Sequence, residues 1–139
     1  MKFEDFIKQG LVRNCFVNKS LIKSLLKNSK KDLVFLEELK LTENSVRKIT
    51  TGYYDVLRSI LEAFSMSKGY KIYSHEAFTY FLKVKKENLL SIKFDRLRKI
   101  RNSINYYGME ISLKEAEENI IETKEIIKLL IKKYLGDFK

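Results

Sequence analysis

The chain of 139 residues contains no proline and only five glycines, and this shortage of turn-forming residues limits its architecture more than any other feature. Sandwiches and barrels of β-strands need a turn every few residues, and turns draw heavily on glycine and proline. A few long helices joined by short connections need little of either. Apolar residues make up 45% of the chain and charged residues 33%, enough to close a core and too many to leave a disordered tail. At 16.5 kDa the length suits one domain. An all-α fold is expected.

The apolar residues support this reading because they recur at steps of three and four. From Asn18 to Lys40 the stripe is Ile22, Leu26, Ser29, Leu33 and Leu36, which puts these side chains on one helical face. Thr42 to Ser45 offers capping oxygens for a second helix with Val46, Ile49, Tyr53, Val56, Ile60 and Ala63 on its stripe. Leu57 and Phe64 widen that stripe, and Gly69 ends the helix. Ser74 caps a third segment containing Ala77, Phe78, Phe81 and Leu82, with a break or kink expected at 83–88. Leu90, Phe94, Leu97, Ile100, Ile104 and Tyr107 continue to Gly108. Ser112-Leu113-Lys114-Glu115 has the form of a capping box and opens a last helix with Ala116, Ile120, Thr123, Ile127, Leu130 and Tyr134 on its stripe, closed by Gly136. The expected architecture is an antiparallel up-and-down bundle of four main helices. Residues 1–17 form a weakly patterned N-terminal extension, with a short helix at Phe3–Ile7 and a break at Gly10. No repeat or linker divides the chain, so 1–139 reads as a single domain.

Several chemistries are excluded at this stage. One cysteine, Cys15, and one histidine, His75, supply neither an internal disulfide nor an ordinary zinc site. There is no glycine-rich phosphate loop and no aspartate pair with metal spacing, so no metal and no cofactor is expected. The start Met1-Lys2-Phe3-Glu4-Asp5 lacks the form of a signal peptide, and no apolar run reaches the ~20 residues of a membrane span. A cytoplasmic location without membrane attachment is expected.

Charge gives the first functional clue. Lysine and arginine number 28 against 18 acidic residues, for a net charge of +10, a balance that favours polyanions or an acidic partner. Eight cations lie between Lys83 and Arg101 against Glu87 and Asp95, and three of the six arginines fall within Arg96 to Arg101. In that segment Arg98, Arg101, Asn102 and Asn105 share one helical side. Arg101 also borders the apolar stripe, seven residues after Phe94. A guanidinium there either faces a cleft or partner subunit or snorkels along the bundle edge to solvent.

The stretch Gly52 to Ala63, then Lys68-Gly69-Tyr70-Lys71 and Ser74-His75-Glu76, then Leu97 to Gly108, resembles the HEPN domain in order and spacing. The resemblance covers roughly Ser20 to Leu135. It implies a four-helix bundle that dimerises, and an RNA-directed role as a metal-independent ribonuclease or a binding protein in a toxin–antitoxin-type module. A protein-interaction module pairing with a small nucleotidyltransferase, without nucleic acid, is the alternative it implies.

The family's catalytic motif, an arginine and a polar residue followed by a histidine, carries over to Arg101 and Asn102, but its histidine position falls on Tyr106. Histidine titrates near neutrality and can move a proton, whereas a tyrosine with a pKa near 10 is a poor base at pH 7. RNA binding with weakened or absent cleavage is therefore expected. Arg101 would hold a phosphate, with Lys93, Arg96, Arg98, Lys99 and Asn105 as its nucleic-acid contacts. His75 reads as a surface or helix-capping histidine, and Cys15 as an incidental thiol.

Overall fold

The computed structural model describes residues 1–138. Among them the chain forms α1 (Phe3–Lys8), β1 (Val12–Asn14), α2 (Lys19–Glu38), α3 (Val46–Ser67), β2 (Tyr70–Ile72), α4 (His75–Val84), α5 (Asn88–Tyr107) and α6 (Leu113–Tyr134), with a final 3-10 turn at Gly136–Phe138. The fold is predominantly helical, as the lack of proline and glycine requires. No helix among the described residues is long and apolar enough to cross a membrane.

Four of the helices are long, with 20 or 22 residues each: α2, α3, α5 and α6. Their boundaries follow local chemistry. The Asn18 side chain accepts from the Leu21 N–H at 3.1 Å and starts α2. Ser112 Oγ accepts from the Glu115 N–H at 3.1 Å and starts α6. The Glu115 carboxylate then takes the serine hydroxyl at 3.1 Å rather than the serine backbone N–H of a standard capping box. Gly108 ends α5 with φ +63°, a left-handed conformation that costs glycine no steric penalty. The segment 83–88 is a full break: α4 stops at Val84 and Lys86 takes φ +62° before α5 begins.

Helix α3 is the centre of the molecule. Leu57, Ile60, Leu61, Ala63 and Phe64 are fully buried, because this helix is apolar over most of its circumference and must be covered on several sides. It packs against α2, α5, α6 and β2. Leu36 of α2 lies against Gly52, so these neighbours joined by a short connection run antiparallel. Tyr54 meets Phe94 and Arg47 reaches the Ile104 carbonyl, so α5 also runs against α3. Phe64 stacks on Tyr134, and Lys124 lies over Tyr53, so α6 runs with α3.

The extension 1–17 is more integrated than its weak pattern suggests. Strands β1 and β2 pair antiparallel, with Val12 opposite Ile72, Arg13 opposite Lys71 and Asn14 opposite Tyr70. Val12 and Ile72 are buried, and Phe3 and Phe6 of α1 pack on Tyr70, Phe81 and Tyr80. A three-residue strand is too short for its alternation to stand out in sequence, and its partner lies near residue 71. The N-terminal segment is thus bound into the core beside α4.

Candidate functional site

The second half of α5 carries Arg101 on the core-facing side, in line with Phe94 two turns earlier. An apolar residue there would complete the core. The arginine instead borders an open cleft of about 580 Å³, whose lining includes Gly52, Asp55, Arg58 and Ser59 of α3, His75 of α4, and Asp32 of α2. Two arginines from different helices and the chain's one histidine therefore share this cleft.

Tyr54 organises them. It is buried and stacks on Phe94 with ring centroids 5.8 Å apart. The Arg101 guanidinium carbon lies 5.5 Å from the Tyr54 ring centroid, within the range of a cation–π contact. The Tyr54 hydroxyl meets His75 Nδ1 at 3.0 Å. One buried phenol thus holds the arginine by its ring and the imidazole by its oxygen. Burial drives the Tyr54 pKa well above its usual value, against the opposing pull of Arg101, Arg98 and Arg58, so the phenol stays neutral. Burial also lowers the His75 pKa, and the positive charges of Arg58, Arg101 and Arg98 lower it further, to about 4. At neutral pH the imidazole is uncharged.

Arg101 Nη1 donates to Asn102 Oδ1 at 3.3 Å and to Tyr106 Oη at 3.4 Å. The guanidinium forms no ion pair among the described residues, and its Nε is buried without a hydrogen-bond partner. Arg101, Asn102 and Tyr106, linked through the motif, are therefore brought together. Tyr106 is 69% exposed and lies over the arginine at the surface. Asn105 is exposed one position earlier.

The other basic residues are dispersed. Arg98 directs Nε and Nη2 to Asp95 Oδ1 at 3.2 and 2.8 Å, and Lys99 Nζ lies 2.9 Å from Asp95 Oδ2. Desolvation raises the Asp95 pKa, but hydrogen bonds from Lys99 and Arg98 outweigh it and hold this carboxyl below its ordinary value. Arg96 turns to α6, where it binds Asn119 and Glu122. Lys93 is half-buried on the far side of the helix from Arg98. The expected row of phosphate contacts is thus divided around the helix, with Arg96, Arg98 and Lys99 paired to the protein's own carboxylates.

His75 departs from the sequence expectation. It is the first residue of α4 and half-buried in the cleft, neither a free surface residue nor a side-chain cap. Tyr54 and Arg58 were also hard to single out as site residues. Their spacing of four places them on one side of α3, which was the available signal, but only the tertiary fold brings α4 and α5 to that side. Among the described residues no group of three or more His, Cys, Asp or Glu is placed to share a metal ion.

Chemically, the cleft can bind an anion. Arg101 and Arg58 supply planar donors, and the carboxylates of Asp32 and Asp55 line the same cleft; burial raises the Asp55 pKa against the opposing pull of Arg101 and Arg58. Comparison with protein-family models, with curated proteins and with solved structures gives no match for this chain.

Proposed function

We propose that the chain is an RNA-directed protein of the HEPN type that binds RNA by a backbone phosphate in the α3/α4/α5 cleft, with ribonuclease activity weakened or absent. Arg101 carries this reading. A cation on the core-facing side of a helix that forms no ion pair among the described residues and lines an open cleft is placed to receive a phosphate oxygen. A charge-assisted hydrogen bond from the guanidinium to a phosphate oxygen is stronger than one between neutral groups. Arg58 adds a second cation across the cleft.

The same electrostatics favour binding over cleavage. Transfer of a proton from a ribose hydroxyl needs a group that titrates near the working pH. His75, with its pKa pulled down to about 4, is a weak base, and Tyr106 is a phenol at the surface. The resemblance adds a homodimer in a toxin–antitoxin-type module, in which two such clefts would lie close together.

The test is the affinity of the wild type and Arg101→Ala for a single-stranded RNA oligonucleotide across a salt series. Loss of one charge-assisted contact predicts a weakening of about tenfold or more at low salt and a log–log salt slope shallower by roughly one. Equal affinity and equal slope would remove the cleft from the binding surface.

A further inference from the structure

The outer face of the two-stranded β1–β2 sheet bears a basic and aromatic cluster that the cleft does not use. Register puts Arg13 directly opposite Lys71. Val12 and Ile72 are buried, so alternation turns Arg13 and Lys71 outward together. Like charges in this relation weaken a pair of strands, and this sheet has only three residue pairs. Tyr73 follows Lys71 by two positions on the same face. It is 56% exposed, and its backbone N–H is anchored to the Leu11 carbonyl at 2.8 Å. The Arg13 guanidinium carbon lies 5.4 Å and Lys71 Nζ 5.9 Å from the Tyr73 ring centroid. An exposed ring thus sits on a fixed backbone, with the Arg13 guanidinium and the Glu62-paired Lys71 against it.

The cluster is continuous with the cleft. Lys71 pairs with Glu62, Glu62 pairs with Arg58, and Arg58 lines the cleft. Tyr73 also precedes His75 by two residues, so their Cα atoms are at most about 7 Å apart. The ring is therefore one short connection away from a residue that lines the cleft.

We propose that Tyr73, with Arg13 and Lys71, is a stacking platform for an unpaired base of the RNA whose phosphate occupies the Arg101 cleft; this rests on the RNA-binding reading above. An aromatic ring among cations is the arrangement that binds single strands with little sequence preference, since every base offers a π-face while the cations meet the backbone. An acidic peptide would use the two cations but would gain nothing specific from the ring. The platform is built into the connection that leads to α4, so its spacing from His75 is set by the fold.

The experiment compares labelled single-stranded RNA with inorganic polyphosphate, which has charge and no bases, on the full chain at one salt concentration. For RNA, Tyr73→Ala should weaken binding by roughly 5- to 150-fold, the usual range for losing one base–aromatic stack. Tyr73→Phe should retain wild-type affinity, and polyphosphate binding should not change in either variant. Ultraviolet cross-linking of wild-type protein to 5-iodouracil RNA should also place an adduct on Tyr73, a readout that needs no folded variant. Unchanged RNA affinity in Tyr73→Ala, an equal loss for polyphosphate, or adducts that avoid Tyr73 and the β1–β2 sheet would overturn the platform while leaving the cleft reading intact. A wild type without RNA affinity would overturn both.

Discussion

His75 is the chain's only histidine, so the C2 proton of its ring gives one unambiguous signal in an NMR titration. Burial, then Arg58, Arg101 and Arg98, pull its pKa from 6.5 down to about 4. Between those two pH values the unfolded chain holds a proton on this residue that the folded chain does not. Stability therefore falls as pH drops through that window and loses nothing more from this group below about 4. At about 1.4 kcal/mol for each tenfold change in proton affinity, the fully transmitted effect would be about 3 kcal/mol. The ring is only half-buried, and solvent screening reduces the expected loss to about 1 kcal/mol. Urea unfolding of wild type and His75→Asn at pH 7 and pH 4.5 measures it as the difference between the two pH dependences. Arg58→Ala should move the NMR midpoint upward by removing the largest cationic influence. RNA should move it the same way, because a phosphate in the cleft offsets both arginines. A wild-type midpoint at 6 or above, or one insensitive to Arg58→Ala, would refute the placement of His75 against the arginine pair.

Two further outcomes are expected. Tyr106→His restores the imidazole that the resemblance implies at this position; it should bring metal-independent RNA cleavage that Arg101→Ala abolishes, checked by end-labelled RNA in EDTA, whereas robust cleavage by the wild type would refute the binding-only reading. Sedimentation at micromolar concentration should give about twice the 16.5 kDa chain mass, and a strictly monomeric species would remove the paired clefts.

Much of the fold could be read from the chain. The stripes through Ile22–Leu36, Val46–Ala63, Leu90–Ile104 and Ala116–Leu130 correspond to α2, α3, α5 and α6, because helical periodicity is local and each stripe spans several turns. Gly108 and Ser112 marked their boundaries for the same reason. The β1–β2 sheet was not legible, since Val12–Asn14 and Tyr70–Ile72 are three residues each and their pairing is a long-range event. At the site, Arg101, Asn102 and Tyr106 were legible as neighbours on one helix. Tyr54 and His75 were not, because 21 residues and a change of direction separate them. For the charge run at 93–101, sequence shows that cations are present, but not that Asp95 and Glu122 pair with Arg96, Arg98 and Lys99.

This distinction between a free and a paired arginine gives the most direct measurement. The six arginines of the chain each contribute an Nε–H signal to a ¹⁵N-edited NMR spectrum, and single substitutions assign them. Titration with a short single-stranded RNA should shift Arg101, which has no ion pair among the described residues, while Arg96 and Arg98, held by Glu122 and Asp95, stay in place. Shifts at Arg96 and Arg98 with Arg101 unmoved would contradict the account, and would place the RNA on the outer surface of α5 instead of in the cleft.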